Sequence, residues 1–163
     1  MISIRKATLK DVKVVSKLSS EFIKYHDKVV SKNNSKLKPY ITKKKNLSAI
    51  FKKFVIKNIR SRNGLVLIAE DDGKPIGYSL SYIKDNIPLF AVEKIGYLSD
   101  LYVEKKYRGK RISSKFKDKV FKWLKKKGIK HVSICVYLAN PKAIKIYKKW
   151  GFFDFYTELR MKV

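Results

Sequence analysis

Cysteine is almost missing from this chain. Cys135 is the only one among 163 residues, so no internal disulfide can close and no cysteine-ligated zinc site can form. Histidine is nearly as scarce: His26 and His131 are too few for a histidine cluster, and no metal is expected. No stretch approaches the ~18 to 20 uninterrupted apolar residues of a membrane span, and the opening Met1-Ile2-Ser3-Ile4-Arg5-Lys6 lacks the apolar segment of a secretory signal. These absences predict a soluble, cytoplasmic protein with no membrane partner. Four prolines and seven glycines, with no repeat and no biased tract, leave no linker at which the chain would divide. Acid is the last scarcity, with 13 Asp and Glu against 40 Lys and Arg, a formal charge of +27.

What is present suffices for a core. With 45% hydrophobic and 13% aromatic residues the chain is expected to fold, and its length fits one domain, 1–163. The charge points toward nucleic acid, a ribosome or another anionic ligand. Two features oppose that reading. Lysines number 34 and arginines only 6, whereas phosphate and base-edge recognition favours the bidentate arginine fork. The excess is also spread evenly, with 18 basic and 4 acidic residues in 1–70 and 22 and 9 in 71–163. A lysine-rich proteome would produce the same pattern.

Periodicity divides the chain into an α/β series. Residues 2–6 alternate as a strand; Thr8 with Asp11 three positions on reads as a helix start, followed by Val12, Val15, Leu18, Phe22 and Ile23 at helical spacing. Residues 28–62 hold twelve basic residues and no acid; Lys38-Pro39 breaks them into a loop and a helix around 45–61. Strands are expected at 65–70 and 75–84, joined by the hairpin turn Asp71-Asp72-Gly73-Lys74, and at 95–104. Then come a helix on Ile112, Phe116, Val120 and Leu124, a strand at 131–137, a helix at 141–150 and a last strand at 151–161. The order β-α-α-β-β-β-α-β-α-β, with two helical crossovers late in the chain, implies a mixed, partly parallel sheet of α/β class.

Two stretches could carry chemistry. Between the fourth strand and the next helix lies Lys105-Lys106-Tyr107-Arg108-Gly109-Lys110-Arg111, where free backbone N–H groups and the positive end of a helix meet, a setting suited to phosphate. An ordinary strand-to-helix connection with solvated lysines has the same composition. Farther on, Asn140-Pro141 suits a helix cap with proline in the first turn, and Gly151 suits its end. Ala143, Ile146 and Tyr147 fall on one face; Tyr147 reads either as a core aromatic or as a proton donor.

Together the two stretches resemble the GCN5-related N-acetyltransferase family. The segment from Tyr97 to Lys110, YLSDLYVEKKYRGK, looks like that family's fourth strand and the start of its coenzyme A pyrophosphate loop. Asn140, Ala143, Tyr147 and Gly151-Phe152 match its N-x-x-A-x-x-x-Y-x-x-x-G-F stretch. The resemblance implies an acyl-CoA N-acyltransferase fold that uses acetyl-CoA to acetylate a primary amine by direct attack. Implied cofactor contacts are Leu101, Tyr102, Val103, Arg108, Gly109, Lys110, Arg111, Ile112, Ser113, Ser114, Asn140, Ala143 and Tyr147, with pantetheine lying between a splayed fourth and fifth strand and Tyr147 protonating the leaving thiolate.

The chain departs from the family loop, Q/R-x-x-G-x-G/A, by placing Arg111 at the middle glycine and Ser113 at the last small position. A side chain at 111 could obstruct the diphosphate; with an ordinary backbone angle its guanidinium would swing outward onto phosphate. This leaves open a degenerate member that binds nucleic acid or ribosome instead. Ser99 stands where relatives carry a glutamate base, leaving Glu93 and Asp100 as candidate bases, or Asp100 as a partner of backbone amides. The positive charge disfavours polyamine acceptors and favours an α-amine or an amine carried on an anionic molecule. A homodimer is left open.

Overall fold

The computed structural model describes residues 1–163. Ten elements alternate along the chain: β1 (Ile2–Lys6), α1 (Val12–Asn33), α2 (Lys38–Ile41), α3 (Leu47–Arg60), β2 (Gly64–Asp71), β3 (Lys74–Asp85), β4 (Lys94–Val103), α4 (Ile112–Lys126), β5 (Val132–Ile134) and α5 (Pro141–Lys149). The five strands form one sheet in the order β1-β2-β3-β4-β5. The first four pair antiparallel, and β5 lies parallel to β4. No helix is long and apolar enough to cross a membrane.

Both faces of the central strands are covered, so their side chains divide between two cores. On one face Leu65, Leu67, Leu98 and Val103 pack against Ile112, Phe116, Val120 and Leu124, the every-fourth-residue stripe of α4. On the other, Val66, Ile68, Tyr78 and Leu80 meet Val15 and Leu18 of α1 and Val55 of α3. Gly96 is glycine for a packing reason, since a Cβ there would run into the side chain of Leu124. The hairpin between β2 and β3 turns at Asp72 (φ +47°) and Gly73 (φ +78°), the two left-handed positions of a twist-matched tight turn.

Four expectations are corrected. Helix α1 runs ten residues past Ile23, because no breaker intervenes before Asn34 and Val30 is fully buried. Lys38-Pro39 opens a short helical turn instead of a loop, with proline in its first turn where a missing N–H costs nothing. The last strand, 151–161, does not form, and β5 covers only three of the seven residues expected. Residues 153–161 alternate as a strand should, but strand backbone needs a hydrogen-bonding neighbour, and the chain supplies none there.

The start of α1 is held by one ion cluster. Arg5 on β1 donates to Asp11 through both terminal nitrogens (2.9 and 2.8 Å) and to Glu70 on β2 through Nε and Nη2 (3.1 and 2.7 Å). Asp11 also accepts from the Thr8 backbone N–H (2.7 Å) and hydroxyl (2.9 Å), as the Thr8/Asp11 spacing predicts. The Arg5 guanidinium, helped by Thr8, holds the Asp11 carboxyl well below the usual carboxylate range. A lowered carboxylate contributes stability above its unfolded pKa and loses it as pH falls through the folded one. Asp11→Ala is therefore expected to cost ~1 to 3 kcal/mol at pH 7, with the difference from the parent shrinking in acid; urea unfolding at pH 7 and below pH ~3 checks this.

Candidate active site

The sheet opens at one place. Pairing between β4 and β5 covers Gly96↔Val132, Tyr97↔Ser133 and Leu98↔Ile134 and stops there, while β4 continues to pair with β3 up to Val103. At the same point β4 carries a bulge: Ser81 pairs with Leu98 and Leu80 with Asp100, leaving Ser99 extra. The bulge shifts the alternation by one, so Leu98, Leu101 and Val103 all contact the α4-side core, while Asp100 and Tyr102 turn toward α1. Backbone direction follows. The Glu104 N–H donates to Ile76 of β3 (2.9 Å), so by strand alternation the main-chain groups of Leu101 and Val103 point away from β3, into the opening left by β5.

A turn at the mouth of this fork leads into α4. Gly109 (φ +84°) and Arg111 (φ +56°, ψ +19°) are both left-handed, and Arg111 is the cap residue of the helix. The angle at 111 is therefore not the ordinary one considered from sequence; it is the conformation a glycine would adopt, held by an arginine at a cost of ~1 to 2 kcal/mol. A left-handed residue at this position is compatible with a turn whose N–H groups face an anion, and the Arg111 side chain is exposed. Behind it, Ile112 is buried in the core, so only its backbone faces the turn; Ser113 and Ser114 are half-buried in the first turn of α4.

Arg108 ties the turn to its surroundings. Its Nε donates to the Val103 carbonyl (3.0 Å) and its guanidinium stacks on Tyr25 of α1, 4.0 Å from the ring centre. It clamps the turn to the end of β4, leaving the Leu101 amide and carbonyl and the Val103 N–H as the main-chain groups of the fork. Tyr25 was not singled out from sequence, where the apolar positions named for the first helix stop at Ile23. Lys110 is exposed beside Tyr107 (5.4 Å), and Tyr102 is buried with its hydroxyl 3.4 Å from Glu21.

The candidate carboxylates separate cleanly. Asp100 accepts from the Tyr78 hydroxyl (3.0 Å) and the Ser99 hydroxyl (3.1 Å), so its partners are side-chain hydroxyls and not backbone amides. Burial pushes its pKa up against the pull of those two donors. Glu93 is exposed at the far end of β4, eight residues before Leu101 and more than about 20 Å along the strand, and the fold does not bring the two together.

Helix α5 forms as its ends predict. Asn140 accepts from the Ala143 N–H (3.3 Å) with Pro141 next, and Gly151 follows at φ +93°. Asn140 thus spends its side chain on the cap. Of the expected inward face, Ala143 and Tyr147 are half-buried and Ile146 is exposed; Ile144 and Trp150 complete the face. Tyr147 lies among Trp150 (5.6 Å) and Phe152 (6.2 Å), and Phe152 meets Phe121 of α4 (6.2 Å). Burial alone pushes the phenol up to about 12, so it is protonated throughout the neutral range. The connection into α5 is tied to α1 by Asn33, which donates to the Ala139 carbonyl (2.8 Å).

A strand fork, a left-handed turn at a helix start and a protonated tyrosine on the following crossover helix can be compared with known proteins. The chain is 27% identical over 113 residues to an uncharacterized N-acetyltransferase of Methanocaldococcus jannaschii, a match covering 69% of this chain and 48% of the relative. The chain thus spans about half the length of that relative. The Bacillus halodurans protein BH1408, solved as a tetramutant, superposes with a TM-score of 0.80 at 20% identity, covering 99% of both chains. The aminoglycoside N-acetyltransferase AAC(6')-Iy, solved with CoA, superposes at 0.76 and 14% identity over 100% of this chain and 95% of its own. At such identities the two structures speak for the fold. The profile of the acetyltransferase (GNAT) family matches residues 33–152, a span running from the end of α1 through the fork, the turn and α5, and the chain belongs to that family.

Proposed function

We propose that this protein is an acetyl-CoA-dependent N-acetyltransferase whose acceptor is an α-amine or an amine carried on an anionic molecule. The observation that carries the reading is the unpaired outer edge of β4 beyond Leu98, leading directly into the left-handed turn at the start of α4. Those residues fit the extended, diphosphate-bearing coenzyme: the edge offers main-chain donors and an acceptor in strand register, and the turn offers amides and a helix start to an anion. When bound, acetyl-CoA supplies the activated acetyl group. The Leu101 and Val103 main chain orients the pantetheine arm, and the amides from Gly109 to Ser114 hold the diphosphate. Tyr147 Oη carries a proton at neutral pH and donates it to the leaving sulfur, a role worth ~10² to 10⁴ in rate. Asp100, the carboxylate that flanks the bulge, receives the amine proton.

Charge narrows the acceptor. Few acids lie on this side: Asp27 is paired with Lys43, and Glu21, Asp100 and Glu104 remain in a chain of +27, so a polycation meets a molecule of strongly like charge. An α-amine is neutral about one time in ten at pH 7 and a lysine amine about once in 2,500, so the former needs little help from a base. A thiol-release assay with acetyl-CoA is expected to show faster turnover on a peptide with a free N-terminus than on spermidine or an aminoglycoside. In the same assay Tyr147→Phe loses ~10² or more of the rate while retaining coenzyme binding. Faster spermidine turnover, or an unchanged Tyr147→Phe rate, contradicts the respective assignment.

Relief of the left-handed angle gives a second expectation. Arg111→Gly raises stability by ~1 kcal/mol in thermal melts and preserves or tightens coenzyme affinity, whereas Arg111→Val, β-branched in a left-handed position, lowers both.

A second activity is favoured by a separate feature. A groove of about 350 Å³ lined by Lys6, Arg62, Lys126, Lys127 and Trp123 holds no acid, and its cations form no ion pairs. It adjoins the C-terminal end of α4, while the turn adjoins the N-terminal end, ~20 Å away. Cations around an indole suit phosphates with a stacked base. We propose that this groove contacts single-stranded nucleic acid. Oligonucleotide binding is expected to fall steeply with salt and to weaken about tenfold in Lys126→Glu/Lys127→Glu; equal binding by that variant refutes the assignment.

A further inference from the structure

Beyond Ile134 the two prongs of the fork part within the sheet, yet on the α1 side aromatic side chains rejoin them. Tyr102 of β4 meets Phe22 of α1, with ring centres 6.0 Å apart; Phe22 meets His26 one helical turn on (5.8 Å); and His26 meets Tyr137, three residues past the end of β5, edge to face at 5.1 Å. All three separations lie in the contact range of aromatic rings. Phe22 and His26 share a helix face because they stand four residues apart. The four rings thus form an unbroken arch from one prong to the other. Its far end is fastened. His26 Nδ1 lies 3.2 Å from Asp27 Oδ1, Asp27 accepts from Lys43 (3.0 Å), and Asn33 at the end of α1 donates to the carbonyl of Ala139, two residues past Tyr137 (2.8 Å).

The opposite side of the fork is taken. Helix α4 packs on Leu98, Leu101 and Val103, and α5 joins α4 through Phe152 and Phe121 (6.2 Å). An acceptor therefore approaches the main chain of Leu101 from the α1 side, toward which Asp100 and Tyr102 turn. There the arch closes the wide end of the fork at Tyr102, and the bulge at Ser99 lies three residues back, about 10 Å along β4. A span of that length, narrowed by the rings at its border, passes one extended chain of about 5 Å width. Two linked sugar-sized rings do not fit through it. The bordering ring faces attract an ammonium. Resting on the acetyl-CoA-dependent reading of the fork, we infer that Phe22, His26, Tyr102 and Tyr137 set acceptor specificity. They admit a slim chain end carrying one primary amine and turn away an amine borne on a multi-ring molecule.

Two conjugates of CoA test this by affinity, without turnover. In one, an acetyl spacer on the sulfur is joined to the α-nitrogen of a glycyl-alanine dipeptide; in the other, the same spacer is joined to an amine of a two-ring aminoglycoside. Calorimetry on the full chain is expected to find the dipeptide conjugate bound about tenfold tighter or more. Tyr137→Ala removes a ring that is 41% exposed and outside both cores. It brings the two affinities within about threefold of each other, while CoA alone binds as it does to the parent. Phe22→Ala has the same effect on the ratio with a lower melting temperature, because Phe22 also packs against the α1-side core. Leu89→Ala, exposed at the other end of β4, keeps the parent ratio. Equal affinities in the parent, tighter binding of the two-ring conjugate, or a parent ratio that survives Tyr137→Ala overturns the inference and leaves the coenzyme assignment standing. Failure of CoA itself to bind overturns both.

Discussion

Between Leu98 and Val103, β4 keeps its hydrogen bonds to β3 and has none to β5, whose pairing ends at Ile134. A row of main-chain groups therefore faces an opening inside a sheet that is otherwise continuous. Unsatisfied backbone is costly unless water or a ligand meets it. The molecule accommodates the opening at the edge of two cores, where Leu98 and Val103 remain anchored against α4 while their strand parts from its neighbour. The bulge at Ser99 makes this compatible with packing. By shifting the alternation it keeps Leu101 and Val103 on the α4 side and sends Asp100 to the hydroxyls of Tyr78 and Ser99.

The turn that follows shows one backbone demand met by two residue types. Gly109 takes its left-handed angle freely; Arg111 takes the same kind of angle under strain. Because the angle is imposed by the start of α4, where Ile112 is locked into the core, the loss of a glycine changes the energy of the turn more than its shape. Arg108, clamped between the Val103 carbonyl and the ring of Tyr25, ties the turn to β4 and to α1 at once. Helix α1 thus supports the mouth of the fork from the opposite face of the sheet.

Much of this architecture was legible in local pattern. Asp71-Asp72-Gly73-Lys74 announces its turn because a left-handed pair needs small or turn-prone residues, and Asn140-Pro141 announces a helix start because both residues have one natural place there. The stripe Ile112, Phe116, Val120 and Leu124 is buried as its spacing requires. Of the two alternative bases offered by the sequence, Asp100 lies beside the fork and Glu93 at the other end of β4, a distinction that only the strand's length makes. The reading that failed is the one in which alternation had to stand in for a neighbour: residues 153–161 alternate without a partner strand.

The amino-acid sequence by itself determined the order of the elements, the two apolar faces that sandwich the sheet, the turn types and the family motifs, because each follows from residues within a few positions of one another. Tertiary structure alone decided where β5 leaves β4, which phase β4 takes after Ser99, which way the backbone turns at Arg111 and what Asp100 and Arg108 touch. Those outcomes depend on groups brought together from distant parts of the chain. Hydrogen-bond pairing and side-chain packing are satisfied jointly across the whole sheet, and no local window contains both partners.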